Sequence, residues 1–193
     1  MKRVGITGGM GCGKSTVVAE FAKIGIPCFV SDIVAARYYY DLDFLDELRG
    51  LLGDEVFLPD GSVDKQAVAA RVFSDRTLLD GLNKLIHPRV LDDFDTFCRE
   101  HSEAPYVLFE SAILYENHLD RIVDRVVCVY LDLAERLRRL RQRDGVSDER
   151  IMVRIANQVP AEEIMLRADY VILNYEGNPR RRQVAWIDKQ LRQ

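Results

Sequence analysis

The chain has 193 residues, of which 48% are hydrophobic and 30% charged, and its formal net charge is −4. This length suits one α/β domain or one core with an insertion, and the apolar content argues against a disordered chain. The acidic balance argues against a mainly electrostatic nucleic-acid binder. No apolar run approaches the roughly 18 residues of a membrane span, and the N-terminus has no secretory-signal pattern. We therefore expect a cytoplasmic protein whose partners are neither nucleic acid nor membrane.

Four cysteines are spread widely along the chain, at Cys12, Cys28, Cys98 and Cys128. They form no C-x-x-C pair and have no histidine nearby at a metal-ligand spacing. In a chain without an export signal, this usage indicates reduced thiols that lie mostly in the interior.

Five short segments rich in apolar and β-branched residues are predicted to be buried strands. They are Arg3–Thr7, Pro27–Ser31, Tyr106–Glu110, Arg125–Leu131 and Tyr170–Leu173. Four of them are followed closely by a helical pattern, starting with Lys14–Ile24. This alternation predicts an α/β fold, a five-stranded parallel sheet covered by helices in three layers.

Residues 33–102 lie between the second and third predicted strands and show only helical patterns. A stretch this long is far more than a crossover requires, so we interpret it as a helical insertion. Its predicted helices are Phe44–Leu52, Lys65–Phe73, Arg76–Ile86 and Arg89–Glu100, the third of which is expected to end near Pro88. The predicted core then consists of residues before and after this insertion.

The strongest motif follows the first strand and has the pattern G-x-x-x-x-G-K-[ST] of a phosphate-binding loop. Glycines allow the backbone amides to turn toward phosphate oxygens, and the following helix directs its positive end to the same anion. The predicted nucleotide-binding residues of the loop are Gly8, Gly11, Cys12, Gly13, Lys14, Ser15 and Thr16.

Three residues of this loop have predicted chemical roles. Lys14 supplies a charge for the β- and γ-phosphates of ATP, and the Ser15 hydroxyl is a candidate ligand for Mg²⁺. Cys12 lies within a positive loop, and we expect its thiol to have a lowered pKa and to be open to alkylation.

The remaining motifs narrow the class of phosphate-loop protein. A regulatory GTPase requires N-K-x-D and D-x-x-G, which are absent, and a motor or transporter ATPase is normally longer. A small-molecule kinase is the leading hypothesis. Within this class, a kinase of the same architecture that phosphorylates a nucleoside monophosphate or another small metabolite is kept as an alternative. The alternative of another class is a protein that binds ATP without turnover.

Asp32 follows the second predicted strand, whose carboxyl end lies at the same sheet edge as the phosphate loop. A carboxylate there can accept the proton of an attacking hydroxyl group. It can equally be the N-cap of the next helix, because aspartate is among the best capping residues.

Five arginines occur in residues 136–143, on a helix that Asp132 and Glu135 are predicted to open as a capping box. Arg136, Arg139 and Arg143 are predicted to share one helix face. Guanidinium groups suit polyphosphate recognition, so we expect a clamp for the transferring phosphoryl group. The alternative is an ordinary solvated face.

With these blocks the chain resembles the dephospho-CoA kinase family from residue 3 to about 175. The resemblance rests on Ile6–Thr16, Asp32–Ala35, Leu85–Pro88, Ala112–Glu116, Arg139 with Arg143 and Asp144, Gln158, and Ala168–Ile172 followed by Asn174.

The resemblance implies ATP-dependent phosphorylation of the ribose 3′-hydroxyl of dephospho-CoA with Mg²⁺, the last step of CoA synthesis. It implies that Asp32 is the catalytic base and that Lys14, Arg139 and Arg143 complete the catalytic set. Asp32, His87 and Arg139 would contact the CoA substrate, with His87 in the insertion. Residues 133–160 would form a lid over a nucleotide-binding core of residues 1–32, 103–132 and 161–193.

Asn174 would belong to the nucleotide site. The sequence departs from the family where Ser31, Ala36, Ala112 and Arg136 stand in place of the usual acid, arginine, proline and glutamine. Arg37 and Arg136 therefore receive no role. Glu110 is equally suited to reach Mg²⁺ through water or to a buried structural role.

Overall fold

The computed structural model describes residues 1–145 and 147–193, with only the backbone described at positions 73 and 144. Position 146 of the predicted lid and the side chain of Asp144 therefore lie outside the described residues. The chain divides into two compact units. The first contains Met1–Val30 and Cys98–Gln193, and the second contains Ser31–Phe97.

The first unit is built on a parallel sheet of five strands in the order β2-β3-β1-β4-β5. The strands are β1 (Lys2–Thr7), β2 (Cys28–Val30), β3 (Tyr106–Glu110), β4 (Arg125–Tyr130) and β5 (Tyr170–Leu173). In the central register Ile6 of β1 stands opposite Glu110 of β3 on one side and Val127 of β4 on the other. The predicted α/β fold class is confirmed.

Helices α1 (Lys14–Lys23), α6 (Leu133–Asp144), α7 (Asp148–Ala156), α8 (Ala161–Arg167) and α9 (Arg180–Leu191) also belong to this unit. Helices α1 and α9 share with the sheet a core that includes Phe21, Val127 and Ile187. The C-terminal helix begins one residue later than the sequence predicts, because Pro179 and not Asn178 occupies the N-cap position. Among the described residues, no helix has the length and apolar character needed to cross a membrane.

The second unit is helical, with α2 (Ser31–Arg37), α3 (Leu42–Leu52), α4 (Lys65–Ser74) and most of α5 (Arg76–Glu100). Phe44, Leu48 and Leu52 repeat every fourth residue on α3 and are completely buried. Each such side chain contributes about 1.5–3 kcal/mol through burial. Asp41 and Asp64 cap α3 and α4 by accepting hydrogen bonds from backbone amides of the first turn. This unit therefore has a core and helix caps of its own.

Pro88 does not end a helix, contrary to the sequence prediction, because α5 continues through it. A proline inside a helix removes one backbone donor and costs about 3 kcal/mol. The Nη1 of Arg89 donates a hydrogen bond to the carbonyl oxygen of Leu85 at 2.8 Å, in the turn that the proline disturbs. Val90 and Phe94 are buried on the following turns. Side-chain bonding and burial thus stabilise the helix across the proline.

Candidate active site

The phosphate loop connects the end of β1 at Thr7 to the first residue of α1, Lys14. Gly13 occupies the N-cap position with a φ of +87°, a left-handed conformation that favours glycine. A Cβ atom there would lie 2.4 Å from the Nδ2 atom of Asn174. No side chain caps the N-terminus of α1. The positive N-terminal end of this helix therefore has no side-chain oxygen bound to it and can receive an anionic ligand, as in known phosphate-binding loops.

The side chain of Lys14 reaches back across the phosphate loop. Its ammonium group donates a hydrogen bond to the carbonyl oxygen of Gly8 at 2.9 Å, across the loop. The amide of Cys12 donates to the carbonyl oxygen of Gly9 at 3.1 Å and closes a turn inside the loop. Ser15 and Thr16 are exposed on the first turn of α1. The structure thus brings together the loop residues that the motif predicts.

Cys12 differs from the sequence prediction of a reactive thiol. Its side chain is buried, and burial raises its pKa above the ordinary value despite the opposing charges of Lys14 and Arg136. Cys98 and Cys128 are also buried, and Cys28 is half-buried. The expectation of free, mostly interior thiols is confirmed, whereas the expected lowering of the Cys12 pKa is wrong.

We predict that Cys12 in the folded protein is alkylated by iodoacetamide at pH 8 at least about tenfold more slowly than in the unfolded chain, because the thiolate is the reacting species. Cys28, with a pKa raised to about 11 but a half-buried side chain, is expected to react first. Peptide mass spectrometry over a time course measures both rates. Rapid labelling of Cys12 in the folded protein would contradict its burial.

Asn174 is completely buried and bonds directly to the phosphate loop. Its Nδ2 donates to the carbonyl oxygen of Cys12 at 2.7 Å, while its Oδ1 accepts a hydrogen bond from Arg180 at 3.1 Å. Its backbone carbonyl accepts from Nη2 of Arg139 at 2.9 Å. Asn174 therefore joins the loop to α6 and α9.

Some arginines of α6 lie beside the phosphate loop, and others lie on the exposed surface of the helix. Asp132 caps the helix as predicted, accepting from the amide of Glu135 at 2.9 Å. Hydrogen bonds from Arg138 and then Arg139 lower the pKa of Glu135 to about 2. Arg139 is thus held between Glu135 and the Asn174 carbonyl, beside the loop, while Arg143 is exposed on the last turn.

Arg138 and Arg141 instead form a solvent-exposed charged face of α6, which was the alternative interpretation of the arginine-rich sequence. Arg138 is exposed and pairs with Glu135, and Arg141 is exposed and pairs with Asp148. Exposed pairs of this kind contribute little to stability.

Two side chains from residues 133–160 contact the loop without having been assigned a role from the sequence. Arg136 is buried, and its Nε donates to the carbonyl oxygen of Met10 at 2.7 Å. The Oε1 of Gln158 accepts from the amide of Met10 at 2.8 Å, and its Nε2 donates to the carbonyl oxygen of Ala112 at 3.0 Å. In the sequence, Gln158 could be noticed because it matches the family, and Arg136 because it lies close to Arg139.

Three further candidates are placed by the structure. Glu110 is buried at the end of β3, and its charge raises the pKa of Cys12. Asp32 and His87 lie in the second unit, where Asp32 is exposed in the first turn of α2 and is not the residue preceding the helix. His87 is half-buried on α5, and burial lowers its pKa.

We predict that Arg139→Lys lowers kcat/KM of the predicted kinase reaction by about 10- to 100-fold. One ammonium group cannot replace the forked guanidinium donors that contact Glu135 and Asn174. Arg138→Lys is the matched control, since Arg138 is exposed on the same helix and also pairs with Glu135. It is expected to change kcat/KM by less than about twofold. Steady-state kinetics of both variants test this, and equal effects would remove the special role of Arg139.

A parallel sheet covered by helices, a G-x-x-x-x-G-K-S loop leading into α1 and a buried arginine of α6 bonded to that loop define a P-loop kinase. The model of the dephospho-CoA kinase family matches residues 2–179. The chain belongs to the dephospho-CoA kinase family.

Relatives and solved structures agree with this assignment. A dephospho-CoA kinase of Bacteroides fragilis is 36% identical over 178 residues, covering 92% of this chain and 86% of the relative. One of Listeria monocytogenes is 32% identical over 181 residues, covering 91% and 90%. A crystal structure of a Thermus thermophilus protein superposes with a TM-score of 0.89 at 32% identity, covering 98% of this chain and 96% of the other.

More distant structures share the fold. A dephospho-CoA kinase from Campylobacter jejuni has a TM-score of 0.63 at 20% identity, with 98% and 97% of the two chains covered.

As a member of the dephospho-CoA kinase family, the chain is a transferase of CoA biosynthesis, a kinase whose substrates are ATP and dephospho-CoA. This confirms the dephospho-CoA kinase function predicted from the sequence.

Proposed function

We propose that this kinase phosphorylates the ribose 3′-hydroxyl of dephospho-CoA, with Asp32 as general base and with Lys14, Arg139 and Arg143 stabilising the transferred phosphoryl group. The observation that carries the proposal is the phosphate loop, whose helix α1 has no side-chain cap and whose backbone is bonded by Asn174. In the reaction the 3′-oxygen forms a bond to the γ-phosphorus while the bond to the β,γ-bridging oxygen breaks. The hydroxyl proton passes to Asp32, and ADP leaves with the electron pair.

The positive groups act on charge that develops during transfer. Lys14 bonds the Gly8 carbonyl in this structure, and we propose that its ammonium group turns to the β- and γ-phosphates when ATP binds. Arg139 already has one side of its guanidinium bonded to Asn174, so little ordering remains for binding. Arg143 lies one turn further along α6 and would complete the clamp.

Asp32 is supported by its place in the chain. The strand β2 ends at Val30, α2 begins at the next residue, and Asp32 is exposed in its first turn. The carboxyl ends of parallel strands are where ligands bind in open α/β sheets. Its exposed carboxylate is available to accept the proton of a bound hydroxyl group.

The donor set also fits magnesium. Ser15 offers a hard hydroxyl oxygen immediately after Lys14, and Mg²⁺ usually takes one or two protein ligands together with substrate phosphates and water. We propose that Ser15 holds the ion, with Glu110 at the end of β3 reaching it through water. Bound there, the ion would neutralise charge on the β- and γ-phosphate oxygens. The other protein groups act as described above.

We further propose that residues 33–102 bind the CoA substrate, with His87 among the contacting residues, and that residues 133–160 are the lid. The separate apolar core of the second unit supports an independent binding module. A cytoplasmic location stays a prediction.

The position of phosphorylation can be tested with 3′-deoxy-dephospho-CoA. We expect this analogue to compete with dephospho-CoA but not to stimulate ADP release, and the natural product to carry its new phosphate on the 3′-oxygen by NMR. Stimulated ADP release with the 3′-deoxy compound would overturn the assignment of the 3′-hydroxyl as acceptor.

A further inference from the structure

Both backbone polar groups of Met10 are bonded by side chains from residues 133–160. Arg136, in the first turn of α6, donates from Nε to the Met10 carbonyl oxygen at 2.7 Å. Gln158, beyond α7, accepts from the Met10 amide at 2.8 Å. The two side chains lie 22 positions apart in sequence (158 minus 136) and converge on one residue of the phosphate loop. The orientation of this residue is therefore determined from outside the loop.

Arg136 is buried, and the acid that acts on its charge, Glu162, is not within ion-pair distance. The residue is 4% exposed, and it forms no ion pair with any carboxylate in the described part of the chain. Burial lowers its pKa, but an arginine guanidinium keeps its charge in proteins at neutral pH. A buried charge without a directly paired counter-ion is costly for folding. Such a cost is characteristic of a residue retained for function.

Gly9 shows how closely Arg136 approaches the loop. The φ of Gly9 lies outside the left-handed region, so its backbone conformation does not require glycine. A Cβ atom at Gly9 would instead lie 2.5–2.7 Å from the guanidinium atoms of Arg136. Because this guanidinium is buried and bonded to Met10, an added methyl group would displace it. The glycine at position 9 is thus explained by contact with Arg136.

We infer that Arg136 is a positioning residue for ATP, which together with Gln158 fixes the Met10 peptide so that the following loop amides face the phosphates. The inference rests on the proposed use of this loop for ATP. The Nε of Arg136 is committed to the Met10 carbonyl, so the residue acts on the nucleotide through the loop. Gln158 bonds Ala112 as well as Met10, which connects the same peptide to the segment after β3.

The test measures the Kd of ATP by calorimetry, with KM values for ATP and dephospho-CoA measured separately. Arg136→Met removes the donor to Met10 and is expected to raise the Kd and KM of ATP by about tenfold or more, the effect of one charge-assisted hydrogen bond. The KM of dephospho-CoA should change by less than about twofold. Arg136→Gln restores an N–H donor without charge and is expected to recover most of the loss.

Arg138→Met is the control, since Arg138 is exposed on the same helix and bonds Glu135 and not the loop. A wild-type Kd for ATP in Arg136→Met would overturn the inference. Failure of a folded Arg136→Gln protein to recover ATP binding would also overturn it, because the restored N–H donor to Met10 would then not be the requirement. Failure of the wild-type protein to bind ATP would instead reject the proposed function.

The contact with Gly9 supplies a second test. Gly9→Ala is expected to weaken ATP binding by displacing the guanidinium, whereas in the Arg136→Ala background the added methyl group has room. The effect of Gly9→Ala should therefore largely disappear in the double variant. Circular dichroism and thermal unfolding identify variants that fail to fold, for which Arg136→Gln provides the smaller change. Additive effects of the two substitutions in folded proteins would contradict the inference.

Discussion

Replacing Lys14 by methionine is expected to lower kcat/KM for ATP by about 10²- to 10³-fold, the effect of removing one group that stabilises transition-state charge. Lys14 reaches across the phosphate loop to the Gly8 carbonyl and is the cationic side chain within the motif. Methionine retains the length of the side chain but not its charge. The loss should be measured as steady-state rates with saturating dephospho-CoA.

Lys23→Met is the matched control, because Lys23 is exposed in the last turn of the same helix and pairs with Glu20. Its removal is expected to change kcat/KM by less than about twofold. Thermal unfolding midpoints of both variants establish that the fold is retained. A Lys14→Met enzyme with wild-type turnover would exclude Lys14 from catalysis.

Asp32→Asn is expected to lower kcat by about 10²- to 10⁴-fold, the contribution of a general base, while the Kd of ATP changes little. Asparagine preserves the size of the side chain and its position in the first turn of α2. The lost property is the ability to accept the proton of the acceptor hydroxyl. Single-turnover kinetics with bound ATP separate this chemical step from nucleotide binding.

Asp43→Asn provides the control, since Asp43 is also exposed in the first turn of a helix, α3, in the same unit. It should leave kcat within about twofold of the wild-type value, as expected for an exposed surface residue. If Asp32→Asn retained comparable activity, Asp32 would be an ordinary helix residue and another group would have to accept the proton.

The sheet could be predicted closely from the sequence because its signal is local. The predicted bounds of Tyr106–Glu110 and Tyr170–Leu173 coincide with β3 and β5. Every residue of β3 is buried, so its side chains must be compatible with the interior on both faces of the sheet. Such a strand is visible as a continuous apolar run. The helix α1 is equally clear, since its pattern begins directly after the motif.

Pro88 shows where a local rule fails. Proline disfavours a helical conformation at the preceding residue, and this correctly describes an isolated chain. In the folded protein, burial of Val90 and Phe94 and the bond from Arg89 to Leu85 favour one continuous helix. Tertiary packing, which the sequence pattern around the proline does not contain, determines the outcome.

The candidate active site also has a part that the local sequence predicts and a part that depends on tertiary packing. The phosphate loop is a contiguous motif and is predicted directly, whereas its supporting groups come from distant parts of the chain. Asn174 bonds a loop residue 162 positions away, and Arg136 bonds one 126 positions away. The pKa of Cys12 was predicted in the wrong direction for the same reason, because its burial depends on packing from outside the loop.

The central claim is that this chain uses ATP to phosphorylate dephospho-CoA, and acceptor-dependent ADP release tests it most directly. ADP should be measured with ATP and Mg²⁺ in the presence and absence of dephospho-CoA. We predict a large stimulation by dephospho-CoA, with one CoA formed for each ADP released. Tight ATP binding with equal ADP release in both conditions, or stimulation only by another acceptor such as a nucleoside monophosphate, would contradict the account.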